Sequence, residues 1–117
     1  MTTTAARPPG DPFVSGAVVI VYLHDPREKI WGLLMDLNPA GVSVFGLGLH
    51  SFDDWLRSLT GTDEQRIHPS LSFYPLVRVE KILMDEEADG IPSFEAQCVA
   101  RTGKGLKFHL ALKETAS

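Results

Sequence analysis

The chain has a single cysteine, Cys98, and that scarcity removes a class of architectures. One thiol closes no intramolecular disulfide, and no Cys/His cluster has zinc spacing, so the fold must rest on its hydrophobic core. Long apolar runs are missing too. No stretch reaches the length of a bilayer span, and residues 1–16 lack the charged and apolar regions of a secretory signal, so no membrane partner and a reducing, cytoplasmic setting are expected. Basic charge is in short supply. With 11 Lys and Arg against 15 Asp and Glu, the net charge of -4 disfavours bulk attraction to phosphate backbones. No Gly-rich loop opens a helix as a phosphate cradle, and no serine sits in a nucleophile elbow. The expectation is a non-enzymatic protein without a cofactor or a metal.

What is present is an ordinary globular composition, 44% hydrophobic and 22% charged, which argues against global disorder. At 117 residues one domain is expected, spanning 16–114, behind a flexible arm at 1–15 rich in Thr, Ala and Pro. Segment 16–24, GAVVIVYLH, is a continuous apolar run of strand length. Segments 28–37 and 42–49 are two further strands joined by Asn38-Pro39-Ala40-Gly41, a hairpin tetrad whose proline fixes φ. Gly32, Gly46 and Gly48 fall inside these strands, where glycine serves a bulge or a sharp bend. The period changes at Ser51. Phe52, Trp55, Leu56 and Leu59 recur at helical spacing behind two acids, and Gly61 supplies a stop. Trp55 is expected to pack this helix onto the sheet. After a polar loop at 62–70, one strand is predicted over 71–84, with Val77, Val79 and Leu83 on its apolar face. Segment 94–103 reads as a helix with Ser93 as cap, and the alternation of Leu106, Phe108, Leu110 and Leu112 predicts a last edge strand. The predicted fold is mainly β, a small, strongly bent Sm-like or SH3-like barrel with one helix inserted after strand three and a second near the C-terminus.

Three clusters invite a chemical reading. Asp85, Glu87, Asp89 and Gly90 fall on the opening positions of a calcium loop, but Pro92 and Ala96 stand where a backbone N–H and a bidentate Glu are required, which leaves a solvated turn. His24, His50, His68 and His109 are dispersed; His24 and His50 both end predicted strands, where hydrogen bonding rather than metal ligation is expected. Trp31, Phe45, Phe73 and Tyr74 offer an aromatic surface for bases, with Trp31 and Tyr74 as its leading members, against the plainer reading that they fill the core.

The hairpin resembles the first motif of Sm-like proteins, with Gly32-Leu33-Leu34 ahead of the turn and Asn38 at the place where that family usually carries Asp. Val77-Arg78-Val79-Glu80-Lys81-Ile82 resembles the second motif, with Val79 in place of Gly, and Val42 stands where the family places a base-holding Asn. This resemblance implies a bent five-stranded barrel, ring assembly through strand edges and RNA binding at an inner rim. A homo-oligomer that binds single-stranded RNA or a protein partner is the expectation that follows, with Asn38 and Arg78 as the contact pair. The same hairpin is similar to part of a PilZ domain, whose Asp/Asn-x-Ser-x-x-Gly signature is approximated by Asp36-Leu37-Asn38-Pro39-Ala40-Gly41. That second resemblance implies a ligand-sensing barrel, here with lost or altered cyclic di-GMP binding, because Trp31 lies four residues after Arg27 where a second Arg belongs.

Overall fold

A computed structural model describes residues 10–61 and 67–116, the side chains of 112–116 excepted. Residues 1–9 of the expected arm and 62–66 of the expected loop lie outside it. Five antiparallel strands, β1 (Val18–Leu23), β2 (Glu28–Asn38), β3 (Gly41–Gly48), β4 (Ser70–Pro75) and β5 (Val79–Met84), form one sheet in the order β4-β3-β2-β1-β5. Three helices accompany it: α1 (Phe52–Thr60), α2 (Phe94–Thr102) and α3 (Leu106–Ala116). The class is mainly β, and the sheet is not closed.

The sheet is nevertheless strongly bent. Its two edge strands are joined by one 3-10 turn, Leu76–Arg78. A flat five-stranded sheet would hold its edges about 19 Å apart, whereas Pro75 and Val79 are separated by at most about 14 Å of chain. The same turn touches both ends of β2: Leu76 N–H donates to the Ala40 carbonyl, and His24 N–H donates to the Arg78 carbonyl, each at 3.0 Å. A straight β2 would place those ends about 33 Å apart. The bend has visible causes in the sequence. Gly32 faces Gly46 across β2 and β3, and a Cβ on Gly32 would meet the Gly46 Cα at 2.7 Å, so neither position has room for a side chain. Met35 is an extra residue between the Leu34 and Asp36 pairings, a β-bulge that turns the strand further.

The two faces of the sheet bury different side chains. Val19, Val21, Leu23, Ile30, Leu34, Val42 and Val44 form an aliphatic cluster on the inner side of the bend. The other face carries Ile20, Trp31 and Leu47, which meet Phe52, Trp55 and Leu56 of α1, Cys98 of α2 and Leu106 and Leu110 of α3. Both faces of β1 are thus covered, which is why its sequence is a continuous apolar run rather than an alternation. Trp55 is 1% exposed and packs α1 onto the sheet, as its helical spacing predicts.

Two expectations are corrected. The strand expected over 71–84 is β4 and β5 at opposite edges, because the chain turns through Leu76–Arg78 after Pro75; Val77, expected on the strand's apolar face, is 79% exposed on that turn. The last strand is instead α3: Leu106 and Leu110 are buried one helical turn apart while Phe108 between them is largely exposed. Of the expected arm at 1–15, the described residues include Phe13, which packs on the inner cluster.

Candidate interaction surfaces

Arg78 ends the Leu76–Arg78 turn and Asn38 ends β2, and both side chains serve the fold. Arg78 donates from Nε to the His24 carbonyl at 2.9 Å and from Nη2 to the Pro26 carbonyl at 3.0 Å, with Glu28 at 3.8 Å. It ties the turn to the β1–β2 connection. Asn38 Oδ1 accepts from Ala40 N–H at 2.8 Å while its Nδ2 donates to Asp36 at 2.7 Å, a local turn that sets the hairpin tip. Among the described residues no hydrogen bond joins Asn38 to Arg78.

The expected aromatic surface takes another form. Trp31 is fully buried and makes edge-to-face contacts with Phe52 at 5.1 Å and Trp55 at 5.7 Å, so it belongs to the core. Tyr74 is partly buried against the inner cluster. The exposed aromatic of this region is Phe73, one residue earlier and on the opposite face of β4.

Burying an indole requires a partner for its N–H, and Asp85 supplies it. Its carboxylate accepts from Trp31 Nε1 at 3.0 Å and from the backbone N–H groups of Phe94 and Glu95 at 2.9 and 2.8 Å. One charge therefore satisfies the core tryptophan and two first-turn donors of α2, where the helix dipole favours an anion. Ser93 Oγ accepts from Ala96 N–H at 3.0 Å and completes the cap. Asp85 is thus drawn from the acidic turn into a structural role. Its partners lie nine, ten and 54 residues away, so no local motif signals this function.

At the α2–α3 corner, Cys98, Thr102 and His109 form a polar knot. Thr102 Oγ1 lies 2.9 Å from the Cys98 and Lys104 carbonyls and 3.0 Å from His109 Nε2, and Cys98 Sγ donates to the Lys104 carbonyl at 3.3 Å. Cys98 is fully enclosed, and burial pushes its thiol above the ordinary value, so it is a poor nucleophile. Burial holds the His109 imidazole below its ordinary value. His109 meets Trp55 edge-on at 5.4 Å, which makes the knot a clamp between helices. Among the described residues no group of three His, Cys, Asp or Glu is placed to hold a metal ion, and no helix is long and apolar enough to cross a membrane.

The least satisfied parts of the molecule are its edges. Cross-strand rows on the helix-bearing face run from cover to solvent. In the row Leu47–Trp31–Ile20–Leu83, the first three are buried and Leu83 on β5 is 41% exposed. In the row Leu33–Phe45–Leu71, Leu71 on β4 reaches 62%. Phe73 is 52% exposed beside it. Comparison with protein-family models, with curated proteins and with solved structures gave no match.

Proposed function

We propose that this domain is a non-catalytic binding and assembly module that associates with copies of itself through β4 and β5 and so presents a macromolecular partner, RNA or protein, with a composite surface. The observation that carries the reading is the pair of edge strands with Leu71, Phe73 and Leu83 in solvent and, among the described residues, no strand beyond them. A natural edge is ordinarily blunted by charge, proline or a covering element. β4, sequence SLSFYP, has no charge and a proline only at its end. Pairing β4 of one copy with β5 of the next would join an open donor–acceptor row to another and cover the flanking apolar side chains.

The finer fold reading, a small Sm-like barrel, draws support from the bend itself. Two edge strands linked by one 3-10 turn, a glycine pair facing across β2 and β3, and an aliphatic cluster enclosed on the inner side suit a sheet rolled nearly onto itself. Asp36 and Asn38, which carry the similarity to PilZ domains, are bonded to each other within the hairpin tip, so the assembly reading is preferred to cyclic di-GMP sensing. Light scattering over micromolar concentrations tests the proposal. A mass of several protomers is expected; a monomer at every concentration contradicts it.

A further inference from the structure

The helical layer covers the Ile20 row of the sheet and stops short of the next one. Tyr22 is two residues along β1 on the same face, and its register partners are Lys29 on β2 and Lys81 on β5. Both ammonium groups lie over the Tyr22 ring, Lys29 Nζ at 5.1 Å and Lys81 Nζ at 4.7 Å from its centroid. This row forms the floor of a cleft of about 780 Å³, whose walls include Arg27 of the β1–β2 turn and Leu49 and His50 of the 3-10 turn that leads into α1. That volume is within the range of small-molecule sites, roughly 300–1,000 Å³.

Charge sets the cleft apart from the rest of the surface. The chain carries a net charge of -4, yet Arg27, Lys29 and Lys81 converge here, and none of the three forms an ion pair among the described residues. Free lysines ordinarily give up considerable rotamer freedom when they capture a ligand. Here the attraction of both ammoniums to one aromatic ring, about 0.5–1 kcal/mol each at an exposed site, limits that freedom beforehand. Two carboxylates also line the cleft: Glu28, which lies 3.8 Å from Arg78, and Glu80, the extra residue at the β1–β5 bulge. They are acceptors for hydroxyl groups and repel a second anionic group at the rim.

We propose that this cleft binds a small phosphorylated, hydroxyl-bearing molecule of the sugar-phosphate class, with its phosphoryl group at the outer edge of the Tyr22 ring that Lys29 and Lys81 flank and its hydroxyls towards Glu28 and Glu80. A phosphoryl group supplies the doubled negative charge that two neighbouring ammoniums favour over a single carboxylate, and the acidic rim selects a polyol over an extended polyanion. Lys81 and Glu80 belong to the edge strand β5, but the Tyr22 row lies on the face of the sheet, and its occupancy does not require assembly.

The test is an amide-resolved NMR titration of the full chain with ribose 5-phosphate, with inorganic phosphate and with ribose, at matched ionic strength. Ribose 5-phosphate is expected to give saturable shifts centred on Tyr22, Lys29, His50 and Lys81, with inorganic phosphate weaker by at least tenfold and ribose silent. Phosphate that binds as tightly as ribose 5-phosphate removes the sugar from the proposal and overturns its ligand class. The double variant Lys29→Gln/Lys81→Gln, checked for an unchanged amide fingerprint away from the cleft, is expected to lose the binding by at least tenfold. Should that variant fail to fold, His50→Ala gives the same readout with an expected severalfold loss. The absence of saturable shifts up to ~10 mM, shifts spread over lysines outside the cleft, or binding unchanged in the variants overturns the proposal and leaves the two lysines as a cover for the Tyr22 ring.

Discussion

The middle of the sheet and its edges solve the same physical problem to different degrees. β1 and β2 are apolar on both sides and are covered on both, by the bend of the sheet on the inner face and by three helices on the other. β4 and β5 also carry large apolar side chains, but at the ends of their rows, beyond the cover of the helices. Side chains such as Trp31 and Leu71 are both large and apolar in sequence; position in the strand order decides that one is sealed and the other lies in water. The middle of the sheet is sealed on both faces, whereas the edges leave Leu71, Phe73 and Leu83 in solvent, which is what the proposed association would cover.

That division predicts a graded series of effects. Trp31→Ala removes a fully buried indole and leaves Asp85 without one of its donors, and a loss on the order of 3 to 5 kcal/mol in urea melts is expected. A loss near zero would erase the distinction between middle and edge. Asp85→Ala strips the α2 N-terminus and the Trp31 N–H of one shared acceptor, for an expected cost of about 2 to 3 kcal/mol, with α2 amides exchanging faster than those of β1.

Smaller still is the response to acid. His109 titrates below its ordinary value because it is buried, with Glu95 and the Lys104 carbonyl opposing that shift. Above the unfolded-state value of about 6.5 both states are neutral and nothing changes; as pH falls below it, the unfolded chain takes the proton more readily and stability is lost. The melting temperature of the wild type should therefore fall more steeply below pH 6.5 than that of His109→Gln. Parallel profiles would remove His109 from the clamp. At the edges, Leu71→Lys and Leu83→Lys should each change the monomer's stability by no more than about 0.5 kcal/mol while lowering the mass seen by sedimentation. An equal loss of stability from these substitutions would show that the edges are core.

How much of this was legible depended on the range of the interactions. The hairpin, the inserted helix and the Ser93 cap are local, and residue order alone predicts them. The 71–84 segment reads as one strand because its alternation continues through Pro75; only the separate partners of its two halves, β3 and β1, reveal the break. Leu106 and Leu110 satisfy strand and helix spacing alike, and the exposed Phe108 between them shows that the helical period prevails. Arg78 and Asn38 were visible as polar residues at motif positions; the Asn38 bonds are local to the hairpin, whereas those of Arg78 to the His24 and Pro26 carbonyls emerge only once the sheet is bent. The Lys29–Tyr22–Lys81 row was hidden for the same reason: its members come together by strand register and not by spacing.

Amide hydrogen exchange, followed strand by strand as protein concentration is raised, addresses the edge proposal most directly. Protection should increase with concentration in β4 (Ser70–Pro75) and β5 (Val79–Met84), remain constant in β1, β2 and β3, and return to the dilute level in Leu71→Lys. Edge protection that does not depend on concentration, or new protection that appears on the helices instead, would contradict assembly through the strand edges.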